Sequence, residues 1–131
     1  MTRRATCCCG QLRLTCEGEP VRVSMCHCLA CQQRTGSTYG VQARFPDEQV
    51  TQVEGRVAQY KRVADSGNEV TFHFCPTCGS TVFWKLGALP GFTVVAVGAF
   101  ADPKFPAPRV SVYEARRHAW VGMPADVEHM D

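Results

Sequence analysis

The chain has 131 residues, 45% of them hydrophobic, and a near-balance of 14 Lys and Arg against 12 Asp and Glu. These values exclude a disordered charged tail and fit one domain spanning residues 1–131. Nine cysteines are more than packing requires, and an odd number cannot close into intrachain disulfides alone. Met1-Thr2-Arg3-Arg4 runs straight into Cys7-Cys8-Cys9-Gly10, where a secretory leader would place roughly 7–15 apolar residues. The most apolar window, Phe92 to Ala101, is shorter than the ~20 residues that cross a bilayer. A reducing, cytoplasmic setting without membrane contact is the expectation, and there such cysteines bind metal or do chemistry.

Along the chain, period-2 segments separated by turn residues predict strands. Gln11 to Cys16 alternates and stops at Gly18; Val21 to Met25 alternates again and leads into Cys26. Leu29 to Arg34 is the one helical stretch, ended by Thr35-Gly36. Tyr39, Val41, Ala43 and Phe45 form one face of the next strand. Val50 to Glu54 and Val57 to Val63 flank Gly55 and read as neighbouring strands. Further strands are expected at Val70 to Phe74, Thr81 to Lys85, Thr93 to Val97 and Ser111 to Tyr113. Three prolines between Asp102 and Pro108 forbid regular structure there. The polar residues Asp126 to Asp131 are expected to fray. The class is all-β, mainly antiparallel, with one short helix after the second cysteine motif.

Three cysteine groups carry the chemistry. Cys75-Pro76-Thr77-Cys78-Gly79 is a zinc-ribbon-like knuckle: two intervening residues let both sulfurs face one ion, and glycine takes the left-handed turn that follows. A closed structural site takes four ligands. Cys7 and Cys9, at i and i+2 of an extended segment, lie on one side of it and can supply the other two, with Cys8 as competitor. Cys26, Cys28 and Cys31 then leave three sulfurs and no matching pair, the pattern of a catalytic zinc with an open position. Competing readings close that site with His27 or Cys16, or make it a metal-free redox trio. Between two ligands, His27 is expected to point away from the metal and support it from outside. Cys8 and Cys16 read as buried small hydrophobes, and His73 as a surface or satisfied histidine. If seven cysteines are thiolates on two Zn²⁺ ions, the small positive balance disappears and carries no information about partners.

The order Cys7-Cys8-Cys9-Gly10, Cys26-His27-Cys28-x-x-Cys31-Gln32, then Phe74-Cys75-x-x-Cys78-Gly79-Ser80 resembles the glutathione-dependent formaldehyde-activating enzymes, whose domain is shared with centromere protein V. Thr35-Gly36-Ser37, the segment Val97 to Pro103 and Trp120 resemble later family motifs. The resemblance implies a β-tent fold, a structural zinc on Cys7, Cys9, Cys75 and Cys78, and a second zinc on Cys26, Cys28 and Cys31. It also implies a carbon–sulfur lyase activity in which glutathione and formaldehyde combine to S-(hydroxymethyl)glutathione. This chain departs by placing Phe72 where many members have an arginine. Glutathione is acidic, so its site needs cations or donors; Arg34 and Ser37, with Thr38, are the nearest candidates. Homodimer assembly is compatible with the pattern. The alternative function is a non-catalytic zinc protein or nucleic-acid module. Arg3-Arg4, Lys61-Arg62 and Arg116-Arg117 are scattered pairs rather than a basic patch interleaved with aromatics, which disfavours nucleic acid.

Overall fold

The computed structural model describes residues 1–130, and its backbone is mostly strand. The alternating segments form β1 (Thr2–Thr6), β2 (Arg13–Glu17), β3 (Arg22–Cys26), β4 (Gly40–Pro46), β5 (Val50–Glu54), β6 (Ala58–Val63), β7 (Glu69–Phe74), β8 (Thr81–Leu86), β9 (Phe92–Ala96), β10 (Val110–Val112) and β11 (Glu128–Met130). Between β3 and β4 lies α1 (Leu29–Thr35), ended by Gly36 in the left-handed conformation at φ +70°.

Two sheets result. The smaller is antiparallel in the order β1-β2-β5, and the larger has eight strands in the order β11-β10-β3-β4-β9-β8-β7-β6. Two pairs in the larger sheet are parallel, β3 with β10 and β10 with β11; the rest are antiparallel. The expected run of mainly antiparallel strands holds, with this parallel edge added. Glu128–Met130, expected to fray, pairs with β10 through Val110↔Glu128 and Val112↔Met130. Asp131 lies outside the described residues. Val50–Glu54 and Ala58–Val63 are not neighbours as their spacing suggests: β5 joins β2 in the small sheet and β6 joins β7 in the large one.

Strand parity decides what each face does. Val23, Ala43, Phe45, Phe83 and Val95, all odd-numbered, pack from the large sheet onto Ala5, Leu12 and Leu14 of the small sheet's side. Phe45, Leu12, Leu14, Val82 and Val95 are fully buried. Each such side chain contributes about 1.5–3 kcal/mol relative to exposure, so this seam is the main apolar stabilisation. Apart from Val82, beside the register shift where Phe74 pairs with Thr81 and His73 with Phe83, the even-numbered residues face the other way, and there Val70, Trp84 and Val94 make a second, smaller cluster.

Gly55 is the hinge by which the chain leaves one sheet for the other. Its φ is +97°, and a Cβ there would sit 2.0 Å from the backbone oxygen of Gln11. Gly55→Ala is therefore expected to cost more than the ~1–3 kcal/mol of a non-glycine residue in a sparse backbone region, because backbone overlap is added to it. Urea denaturation of the variant measures the loss; a change below 1 kcal/mol would contradict the close approach.

Candidate functional site

The first and third cysteine groups meet. Cys7, Cys9, Cys75 and Cys78 place their sulfurs within 4.8 Å of one another, a group that could hold a metal ion. Each half is a knuckle built the same way. In one, Gly79 N–H donates to Cys75 O at 2.8 Å, and the Thr77 and Cys78 N–H groups donate to Cys75 Sγ at 3.3 and 3.4 Å. In the other, Gly10 N–H donates to Cys7 O at 3.0 Å, and Leu12 N–H donates to Cys7 Sγ at 3.3 Å. Gly79 and Gly10 have φ of +80° and +82°, the left-handed turn that only glycine adopts cheaply. The extended segment expected for Cys7 to Cys9 is thus a tight turn, and the turn aims the two sulfurs together.

The donor set suits a thiophilic ion in a tetrahedron. Cys7 and Cys9 sulfurs lie 3.6 Å apart and Cys9 and Cys75 sulfurs 3.7 Å apart. A tetrahedron with ~2.3 Å metal–sulfur bonds, as for zinc, has edges of about 3.8 Å. The side chain of Gln11 donates to Cys75 Sγ at 3.0 Å, and its Oε1 accepts from Arg56 N–H at 2.9 Å. Burial pushes the Cys75 thiol up, but the Gln11 and backbone donors outweigh it and bring it down to about 7. Hydrogen bonding from Ser80 and from the backbone brings Cys78 down to about 5. Cys9 goes the other way: a backbone hydrogen bond from Gln11 is outweighed by burial and the Cys7, Cys75 and Cys78 thiols, which push it up to about 11. The Cys75–Cys78 half thus favours the thiolates that metal binding requires.

Cys8 is exposed, a correction to its reading as a buried hydrophobe, whereas Cys16 is fully buried. The Cys8 side chain takes no part in the cluster, but its backbone N–H donates to Ser80 Oγ at 3.2 Å and links the two knuckles.

The middle group forms a separate cluster. Cys26, Cys28 and Cys31 also bring their sulfurs within 4.8 Å. Cys26 ends β3, and Cys28 is the N-cap of α1, its sulfur accepting from Cys31 N–H at 3.3 Å. The cap geometry is what brings sulfurs at i and i+3 together. Hydrogen bonding from the Cys26 and Cys31 thiols brings Cys28 down to about 2, while hydrogen bonding with Cys28 and Cys31, then burial, pushes Cys26 up. The trio thus holds one thiolate readily and shares its remaining protons.

His27 is outside both clusters, as expected. It is fully buried, with Nε2 2.9 Å from Ser111 Oγ, and burial holds the imidazole below its usual pKa. Gln32 fastens the motif to the later chain: its Nε2 donates to His27 O at 2.9 Å and to Arg116 O at 3.1 Å, while His118 Nε2 lies 3.0 Å from its Oε1. His73 is half-buried and stacks on Phe83 with centroids 4.4 Å apart.

The three-cysteine cluster opens into a cavity of about 370 Å³ on the even-numbered face of the large sheet. Four arginines line it: Arg22 on β3, Arg44 on β4, Arg62 on β6 and Arg34 on α1. The guanidinium of Arg34 lies over Trp84 at 4.3 Å and near Phe72 at 5.9 Å. Gly40 makes room for it, since a Cβ there would lie 2.8 Å from Arg34 Nη2. Of the two residues singled out as acidic-thiol contacts, Arg34 is in the cavity wall; Ser37 is exposed beyond the helix and does not line it. Arg22 and Arg44 escaped the sequence reading, and Arg62 entered it only in the scattered pair Lys61-Arg62, although each sits at an even position of a predicted strand.

Fold and site together define a small, mainly antiparallel β protein with two cysteine clusters that could hold metal ions, one closed by four sulfurs and one with three beside a cavity. The family is settled by comparison: the model described as glutathione-dependent formaldehyde-activating enzyme matches residues 2–116, and the chain belongs to that family. A crystal structure of a Rhodobacter sphaeroides protein, a structural-genomics target, shares the fold at a TM-score of 0.60. Identity is 20%, over 77% of this chain and 92% of that one. No curated protein matches the chain. Among the described residues, no helix is long and apolar enough to cross a membrane.

The two clusters should differ in what they hold together. Cys75→Ser is expected to lose one metal equivalent and to lower the melting temperature by on the order of 10 °C or more, since metal binding at such sites is largely folding energy. Cys28→Ser should also lose one equivalent but melt within a few degrees of wild type. Metal analysis with thermal denaturation of both variants checks this; equal losses of thermal stability would contradict it.

Proposed function

We propose that the protein is a zinc-dependent carbon–sulfur lyase of the β-tent type, acting in the cytoplasm on the adduct of an acidic thiol and an aldehyde. Glutathione and formaldehyde are the pair that the family description names. One observation carries the reading: a cluster of three sulfurs, not four, opens into a cavity lined by cations.

In the four-sulfur cluster zinc would be structural; at Cys26, Cys28 and Cys31 it would supply a Lewis acid that holds a thiol as thiolate at neutral pH. The reaction itself is an addition. The thiol sulfur bonds to the aldehyde carbon, the carbonyl pair moves to oxygen, and the thiol proton ends on that oxygen. The reverse step breaks the same C–S bond, and nothing is oxidised or reduced. The chain's own residues bind and orient. Trp84, Val94 and Val70 give the cavity an apolar wall. Cys31 takes a lowering hydrogen bond from Cys26 but is pushed up overall by Cys28 and burial; Arg34, held on the Trp84 ring, offsets part of that rise with its positive charge. Cavity arginines give an acidic thiol its counter-charge.

A nucleic-acid module would need its cations on an exposed stripe with aromatics between them. Here the four arginines converge inside a cavity, which favours a small anionic substrate.

Exchange NMR of formaldehyde with glutathione tests the proposal. Zinc-loaded wild type should accelerate equilibration, and Cys28→Ser should return it to near the uncatalysed rate. No acceleration by the wild type would overturn the glutathione reading. X-ray absorption of the zinc-loaded protein supplies a readout besides activity: one site with four sulfurs and one with three sulfurs and a lighter atom.

A further inference from the structure

The cationic cavity asks more of its ligand than acidity. Arg22 and Arg44 stand directly opposite each other on β3 and β4, and like charges in that relation destabilise a sheet. Burial and then the Arg22 charge lower the pKa of Arg44. The Nε atoms of Arg22, Arg44 and Arg62 and Nη2 of Arg34 are buried without a hydrogen-bond partner among the described residues. None of the four is ion-paired with a described carboxylate. A buried donor on a charged group left unpaired is costly. Arg34 and Arg62 are within electrostatic reach of Cys31 and Cys28, whereas the facing pair Arg22 and Arg44 is explained by an anion that it receives.

Position and charge narrow the ligand. Arg22 lies four positions before Cys26 on β3, about 13 Å at roughly 3.3 Å per residue, and Arg44 stands at the same distance from Gly40 on β4. The cavity therefore has a sulfur end and an anion end. Glu69, exposed at the rim, is the one carboxylate among its described lining residues. Two facing guanidinium forks match one tetrahedral oxyanion of charge −2, whose oxygens can accept from both.

We infer that the Arg22–Arg44 end of the cavity is a phosphate subsite, and that the thiol substrate carries a phosphate monoester at the end remote from its sulfur. The subsite stands on the arginines alone; only its attachment to a thiol rests on the lyase reading.

Calorimetric titration of the zinc-loaded protein with inorganic phosphate, and separately with succinate, tests the subsite. Phosphate should bind at least tenfold more tightly than succinate. Arg22→Gln and Arg44→Gln should each weaken phosphate at least tenfold, while Lys61→Gln, on the exposed side of β6, should leave it unchanged. Both arginine variants should melt no lower than wild type without phosphate, because a like-charge pair is relieved. Arg22→Lys keeps the charge but not the fork, and serves should a glutamine variant fail to fold; it too should weaken phosphate. In the exchange assay phosphate should raise the KM for glutathione without changing kcat. Phosphate that fails to bind, binds equally to the variants, or binds no better than succinate overturns the inference. Acceleration of exchange without phosphate binding would sink the subsite and spare the lyase, whereas phosphate binding without exchange would do the reverse.

Discussion

The four-sulfur cluster is the constraint on which the remaining architecture depends. It joins the turn after β1 to the turn between β7 and β8, and so clamps the small sheet to the far half of the large one. The apolar seam between the sheets is modest for a chain of this size, and a clamp across it fixes their relative placement. Gln11 extends the clamp: it reaches from the first knuckle to Cys75 and, through Arg56, to the start of the segment leading into β6. Once these parts are fixed, the eight-stranded sheet has no freedom to turn its second face elsewhere.

That second face is where chemistry is arranged. Because side chains alternate, Arg22, Ser24 and Cys26 follow one another along a single face of β3, with Arg44 and Gln42 beside them on β4. The three-cysteine cluster, the apolar wall of Trp84 and Val94, and the cationic floor are thereby positions on one lattice rather than contributions from separate loops. Of the cavity's cysteines and arginines, only Cys28, Cys31 and Arg34 come from outside the sheet, carried by the connection through α1 between β3 and β4. A sheet lattice is stiff, so the distance between the sulfur end and the arginine end is set by strand register.

Much of this was legible in the sequence because it is local. Cys-x-x-Cys-Gly and Cys-x-Cys-Gly each specify a turn within a few residues, and their pairing followed from counting ligands. Strand positions were legible from Val23, Val41, Phe45, Val82 and Val95, whose alternation marks a half-buried sheet. The arginines were not. Arg22, Arg44 and Arg62 sit at polar positions of alternating strands, which ordinarily face water; only the closure of α1 and the neighbouring strands over that face turns it into a cavity. Likewise β1, rich in Thr and Arg, carries no apolar alternation, and its place is conferred by β2. The separation of β5 from β6 was hidden for a related reason: sequence adjacency suggests pairing, whereas Gly55 redirects the chain from one sheet to the other.

The ring that carries Arg34 has a consequence of its own. The chain has two tryptophans. Trp84 is 5% exposed in the cavity wall with a guanidinium against it, and Trp120 is 74% exposed on the surface. Their fluorescence is therefore separable: a soluble quencher suppresses the surface indole first and leaves an emission whose environment is the cavity itself. Nature has placed an optical probe a few ångströms from the cation that an entering anion would have to displace or bind, so occupancy of the site is readable without a label.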